Sequence, residues 1–248
     1  MSPFTGLMTR RAAACGCFVA LCAGLALVPV QTKQGVDYQV TSYRVPLYEK
    51  VFGFIVRDAE YRRLVRQIIH GVSGEEARAG ALFEWTRAHI RFTPPGWPLM
   101  DDHTLYIIFR GYGEADQMAD VFVTLATYAG LSAFWKLVQA REGAGKLVLS
   151  FVRIHGRWTV WDVRHGVVFR TARGDLASVE DLASHPAWIR LAGAPALDGE
   201  QPYAQYIQHA VAPFVVPEVL RAEHQMPIPR MVFELTCLWK RLCRHACT

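Results

Sequence analysis

No cysteine lies between Cys22 and Cys237 in this 248-residue chain. That absence excludes a disulfide framework for the central region, and it excludes a cysteine nucleophile there. The six cysteines sit at the two ends: Cys15, Cys17 and Cys22 in one group, Cys237, Cys243 and Cys247 in the other. Lysine is also scarce, with 5 residues against 22 arginines. The formal charge of +5 is therefore carried by arginines scattered along predicted helices and strands, which reads as a solvated basic surface and argues against a nucleic-acid partner. Internal repeats and low-complexity tracts are lacking. A hydrophobic content of 52% excludes a disordered chain, and the length suits one globular domain with appendages. Arginine over lysine, with abundant alanine, points to a GC-rich bacterial genome.

Charge is missing altogether from Ala12 to Val30, which follows Arg10-Arg11. About 20 apolar residues at 1.5 Å rise cross a bilayer, so the segment predicts one N-terminal transmembrane helix. The paired arginines predict an inward N-terminus, with the remaining chain on the extracytoplasmic (periplasmic) side of an inner or plasma membrane. A cleaved signal sequence is the rival for residues 1–30. Apolar sequence continuing through Leu27, Val28 and Val30, beyond the small residues at 23–26, favours a retained anchor.

Residues 31–72 read as a polar linker, without clear period over Gln31 to Val45, and a leading helix from Tyr48. A second helix is predicted from Glu75 to Ile90, with Ala77, Ala81, Leu82, Trp85 and Ala88 as its apolar face. Thr93 to Pro98 breaks regular structure. Gly111-Tyr112-Gly113 is a tight turn opening a helix from Ala115 to Ala129 that is apolar nearly all round, as a central buried helix is. Period-two strands follow over Ala133–Val138, Lys146–Ile154, Arg157–Val163 and Val167–Arg170, with His155-Gly156 as a hairpin turn. A short helix is expected from Asp175 to Trp188, capped by Asp175 or Ser178. Residues 191–230 form a Pro/Ala-rich extension with one helix at Tyr203–Val211. Residues 231–248 form a basic amphipathic helix: Met231, Val232, Leu235, Leu238, Trp239 and Leu242 share a face, with Lys240, Arg241, Arg244 and His245 at its end. Such a helix lies on a membrane surface, docks to a partner, or closes the domain.

Three blocks carry a family resemblance: Ala81-Leu82-Phe83-Glu84-Trp85-Thr86-Arg87, Gly111-Tyr112-Gly113-Glu114-Ala115-Asp116, and Gly156-Arg157-Trp158-Thr159-Val160-Trp161-Asp162. In order and spacing they resemble a transglutaminase-like (papain-related) domain, over about two-fifths of the chain within residues 73–190. The resemblance implies an α+β fold of N-terminal helices, a central buried helix and an antiparallel sheet. It also implies a triad: a cysteine at the central helix start, a histidine at the head of the next strand, and an aspartate on its neighbour. Matched by position these fall on Ala115, on Leu147 or within two residues of it, and on Asp162. A methyl cannot attack a carbonyl, and no histidine lies between Leu131 and Ile154. Only the orienting carboxylate is kept.

Other residues offer little replacement. Glu114 and Asp116 flank Ala115, where acids favour a helix N-terminus whatever their role. Asp101-Asp102-His103 and the Cys243–Cys247 segment resemble metal ligands in composition but lack the number and arrangement for a site, so no metal or cofactor is expected. The groove candidates for a binding role are Tyr112, Glu114, Asp116, Trp97, Trp135 and Trp161, the aromatics supplying contact area. The sequence thus supports a membrane-anchored, catalytically inactive binding or assembly subunit with a protein partner. The alternative is an active hydrolase or amidase with a rearranged carboxylate pair, Glu114 or Asp116 with Asp162.

Overall fold

A computed structural model describes residues 16, 18, 20–36, 39–98, 100–101, 103–141, 145–191, 202–211, 213–218 and 220–246. The fold is α+β. Strands β1 (Pro29–Val36) and β2 (Gln39–Pro46) pair antiparallel, so the expected linker at 31–45 is instead a hairpin. Helices α1 (Leu47–Ile68) and α2 (Glu75–His89) follow. Short β3 (Arg91–Phe92) runs parallel to β4 (Tyr112–Gly113), and helix α3 (Thr104–Arg110) lies between them. Helix α4 (Ala115–Tyr128) leads to the main sheet of β5 (Ala133–Gln139), β6 (Lys146–Ile154), β7 (Arg157–Asp162) and β8 (Val167–Val168), antiparallel and in that order. Helices α5 (Val179–Ser184), α6 (Pro186–Leu191) and α7 (Tyr203–Val211), a 3₁₀ turn (Arg221–Gln225) and α8 (Pro227–Ala246) complete the described chain.

The main sheet is covered on both faces. On one side Val152, Ile154 and Trp161 join Phe122 and Leu125 of α4 in a core with Leu82 and Phe83 of α2. On the other, Leu147, Leu149, Phe151 and Val160 pack with Tyr203, Tyr206 and Ile207. Burial on both faces explains why β6 is buried continuously from Leu147 to Val152 rather than at alternate residues. Every residue of α4 from Gln117 to Thr127 is buried except Asp120. The helix ends at Gly130, whose φ of 83° places it in the left-handed region, while the Leu131 N–H returns to the Ala126 carbonyl.

Several local expectations are corrected. The buried side of α2 is Ala79, Leu82, Phe83 and Thr86, while Ala77 and Ala88 are exposed; the small alanines matched the helical period equally well. The single helix expected over 175–188 is two, parted at His185-Pro186, because proline cannot donate into a continuing helix. Ser178 is the cap, its Oγ accepting from the Asp181 N–H at 3.1 Å.

Among the described residues no helix is long and apolar enough to cross a membrane. Of the span expected over Ala12 to Val30, residues 12–15, 17 and 19 lie outside the described residues. Helix is described at 20–26, and Pro29 and Val30 belong to β1, so the helix stops short of the apolar run's end.

Candidate functional site

The start of α4 is held by a half-buried polar staple. Arg110 donates from Nε to the Tyr112 carbonyl at 2.8 Å, from Nη1 to the Asp101 carbonyl at 2.6 Å, and from Nη2 to Gln117 Oε1 at 2.6 Å. Gln117 Oε1 also accepts from the Glu114 N–H at 3.1 Å, so one amide side chain satisfies a helix-end donor and fixes the loop before it. A Cβ at position 113 would stand 2.9 Å from Gln117 Oε1, so a larger residue there would push the amide out of this network. These contacts set where Ala115 begins the helix.

Ala115, Leu147 and Asp162 come from α4, β6 and β7, yet they line one cavity with Lys146, Val148, Arg164 and His165. Its volume is about 20 Å³, room for roughly one water molecule. None of these seven side chains is a thiol or hydroxyl. A larger open recess, lined by Arg63, Arg66, Gln67 and His70, lies along α1.

His165 was not anticipated from sequence. Its ring Nδ1 is 2.7 Å from Asp162 Oδ2, its backbone N–H donates to Asp162 Oδ1 at 3.1 Å, and its side chain is 5% exposed. Asp162 is fully buried, and its Oδ2 also accepts from the Tyr203 hydroxyl at 2.9 Å. Gly166, at φ 71°, closes the turn that brings the imidazole back three residues onto the carboxylate; a Cβ there would run into the Arg87 guanidinium. With Asp162 ionised, Nδ1 carries the ring proton and Nε2 is the basic nitrogen. The site therefore contains an oriented imidazole–carboxylate pair, and at the head of the helix beside it stands a methyl group.

The other sequence candidates are placed as follows. Asp116 Oδ1 accepts from the Gln117 N–H at 2.9 Å, and Glu114 is the N-cap residue, so both acids serve the helix end. Trp97 is 53% exposed and meets the Tyr112 ring edge-on at 4.9 Å, forming an accessible aromatic pair. Trp135 is half-buried and donates from Nε1 to Asp120 Oδ1 at 3.1 Å; Asp120 Oδ2 accepts from the Thr104 hydroxyl at 2.6 Å. Trp161 is corrected: it is 2% exposed and packs on Phe83 and Phe122, so it is a core residue and offers no ligand surface. His155 lies in the turn between β6 and β7, where its N–H donates to Glu75 Oε2 at 2.6 Å. His103 caps α3 through Nδ1, which accepts from the Leu105 N–H at 3.2 Å. Burial, reinforced by the nearby Arg57, lowers the His103 pKa.

Among the described residues no group of three or more His, Cys, Asp or Glu could hold a metal ion. Asp102 and Cys247, and the side chains of Cys243 and His245, lie outside the described residues.

The sequence signal for His165 was Asp162-x-x-His165-Gly166: a carboxylate and a histidine three apart, with a glycine able to take the left-handed conformation that folds one onto the other.

No family model and no curated protein matches the chain. Among solved structures it is similar to a candidate cysteine protease from Cytophaga hutchinsonii, at 12% identity and TM-score 0.38, over 57% of this chain and 56% of that one. It is similar to a candidate protease from Parabacteroides distasonis at 9% identity and TM-score 0.35, over 53% and 35% of the two chains. A third similarity is to a TGase, at 13% identity and TM-score 0.38, over 62% of this chain and 48% of that chain.

Proposed function

We propose that the chain is a transglutaminase-like protein without the chemistry its sequence blocks imply. In this reading it is tethered to the membrane by its N-terminal segment, with the domain outside the cytoplasm, and it acts as a binding or assembly subunit. The observation that carries the proposal is the Ala115 methyl at the cavity shared with Leu147, Asp162 and His165. A space of about 20 Å³ admits no substrate chain, and a methyl neither attacks nor carries an acyl group. Contact with a partner falls to the exposed Trp97 and its neighbour Tyr112.

The carboxylate hydrolase is the weaker reading, because Asp162 already accepts from His165 and Tyr203. The His165–Asp162 pair favours a different active form, in which the imidazole is a base toward a water molecule.

The test is affinity purification of the detergent-extracted protein with mass spectrometry of what accompanies it. A stoichiometric partner, lost in Trp97→Ala and Tyr112→Ala, supports the proposal. A lone monomer that hydrolyses amide or ester substrates, with turnover abolished by His165→Ala, overturns it.

A further inference from the structure

Two helices carry their apolar stripes outward. In α1, Val51, Phe52 and Ile55 are 49%, 68% and 56% exposed, although the same helix buries Tyr61 and Val65 farther along. In α8, Met231, Leu235 and Trp239 are 57%, 57% and 67% exposed and follow the helical repeat. A helix closing a domain turns such a stripe inward. Here α8 packs against the 3₁₀ turn, where the Phe233 and His224 rings meet at a tilt with centres 4.3 Å apart, and it also touches α1.

We propose that these two stripes dock on the surface of an anionic lipid bilayer. The inference rests on the membrane-tether reading and extends it from one segment to a face of the folded body.

Chain continuity identifies the occupant. The Leu47 N–H, at the first turn of α1, donates to the Val28 carbonyl at 2.9 Å. The α1 stripe therefore starts where the uncharged N-terminal run arrives, and that run's described side chains Leu21 and Leu25 are themselves exposed. Charge distribution agrees. Beyond Trp239 the sequence of α8 supplies Lys240, Arg241 and Arg244 with no acid. An exposed apolar stripe that includes a tryptophan, on a helix whose last turns carry cations and no acid, is the composition of a helix lying on an anionic interface. Each basic residue near such a surface strengthens binding by about fivefold.

The experiment uses the full chain in vesicles of phosphatidylcholine, with or without phosphatidylglycerol, containing lipids brominated on their acyl chains. Flotation reports the tether. The difference in tryptophan quenching between the parent and Trp239→Phe isolates Trp239 and reports the docking face. The expected result is flotation with both lipids, together with Trp239 quenching that is at least about twofold stronger with phosphatidylglycerol. Phe52→Asp and Leu235→Asp, each at an exposed site and checked for an unchanged circular dichroism spectrum, should float but lose the quenching. Flotation without Trp239 quenching overturns the docking face while leaving the tether standing, and it is the outcome expected if a protein covers these stripes. Failure to float overturns both.

Discussion

The Tyr203 hydroxyl donates to Oδ2 of Asp162 at 2.9 Å, fastening α7 to the last residue of β7 across 41 positions of sequence. Both residues are fully buried, and the same carboxylate accepts from His165. Asp162→Ala strands the tyrosine hydroxyl and the histidine donors without an acceptor. The expected loss is about 3 kcal/mol or more, from about 1–3 for each of the three donors left without a partner, read from the urea midpoint. Tyr203→Phe removes one bond and should cost about 1 kcal/mol. A loss below that for Asp162→Ala would show that the carboxylate has no structural role.

An acid-side pH dependence follows from His103. Its folded pKa lies below the ordinary value of about 6.5, from burial first and Arg57 second. A depressed histidine contributes stability that is intact above about pH 6.5 and lost as pH falls toward the folded value, with a limiting slope of about 1.4 kcal/mol per unit. Protonation of Nδ1 also removes the acceptor that caps α3. His103→Asn keeps a capping acceptor without a titrating proton, so its stability should be flatter between pH 6.5 and lower values; equal slopes would refute the assignment.

On the alkaline side, Tyr61 and Tyr128 both have raised phenol pKa values. Burial is the main cause for each, followed by the charge of Asp120 for Tyr61 and of Asp58 for Tyr128. Their stabilising contribution is complete below the unfolded pKa of about 10 and is lost as pH rises beyond it, because the unfolded chain gives up these protons first. Two such groups give a slope of about 2.7 kcal/mol per unit, and Tyr128→Phe should halve it in urea titrations above pH 10. The Tyr128 hydroxyl lies 3.0 Å from Asp58 Oδ1 and 2.7 Å from the Gln225 carbonyl, so the same change loosens the 3₁₀ turn that supports α8.

Ala115→Cys places a thiol at a helix start, in a cavity shared with the His165–Asp162 pair. The helix dipole and a basic imidazole nitrogen that can take the proton both favour thiolate, so its pKa should fall below the ordinary 8.5 or so. Difference absorbance of thiolate against the parent protein, which carries the same native cysteines, measures the shift. An ordinary or raised pKa would show that burial outweighs both.

Much of the architecture was legible because strong periodicity met strong punctuation. Helix α7 and strand β6 have the bounds read from sequence, and α4 announced itself by an apolar run between Gly113 and Gly130. The hairpin at 29–46 was missed because all eight residues of β2 from Gln39 to Pro46 face solvent in whole or in part, with no buried alternation to betray them. At the site, the meeting of Ala115, Leu147 and Asp162 was anticipated from the resemblance. His165 was not, since the resemblance places the base at the head of β6, whereas the imidazole arrives through a turn that has no period. Trp161 looked like a contact residue because tryptophan often is one; which face of β7 it occupies is decided by packing against α4.

Pro29 stands opposite Pro46, and β1 and β2 stay in register to Val36 and Gln39. Together with the bond from Leu47 to Val28, this makes the hairpin a closed detour: the path leaves and re-enters at one point. The distance from the N-terminal segment to α1 is thus independent of how many residues the detour contains. Insertions between Val36 and Gln39 lengthen the excursion at about 0.6 kcal/mol per doubling of the loop while leaving the body's standoff unchanged. The hairpin tip is a place where the chain can gain length, while nearer its base Gln34, which donates to Asp101 Oδ2 at 2.9 Å, keeps the ribbon tied to the body.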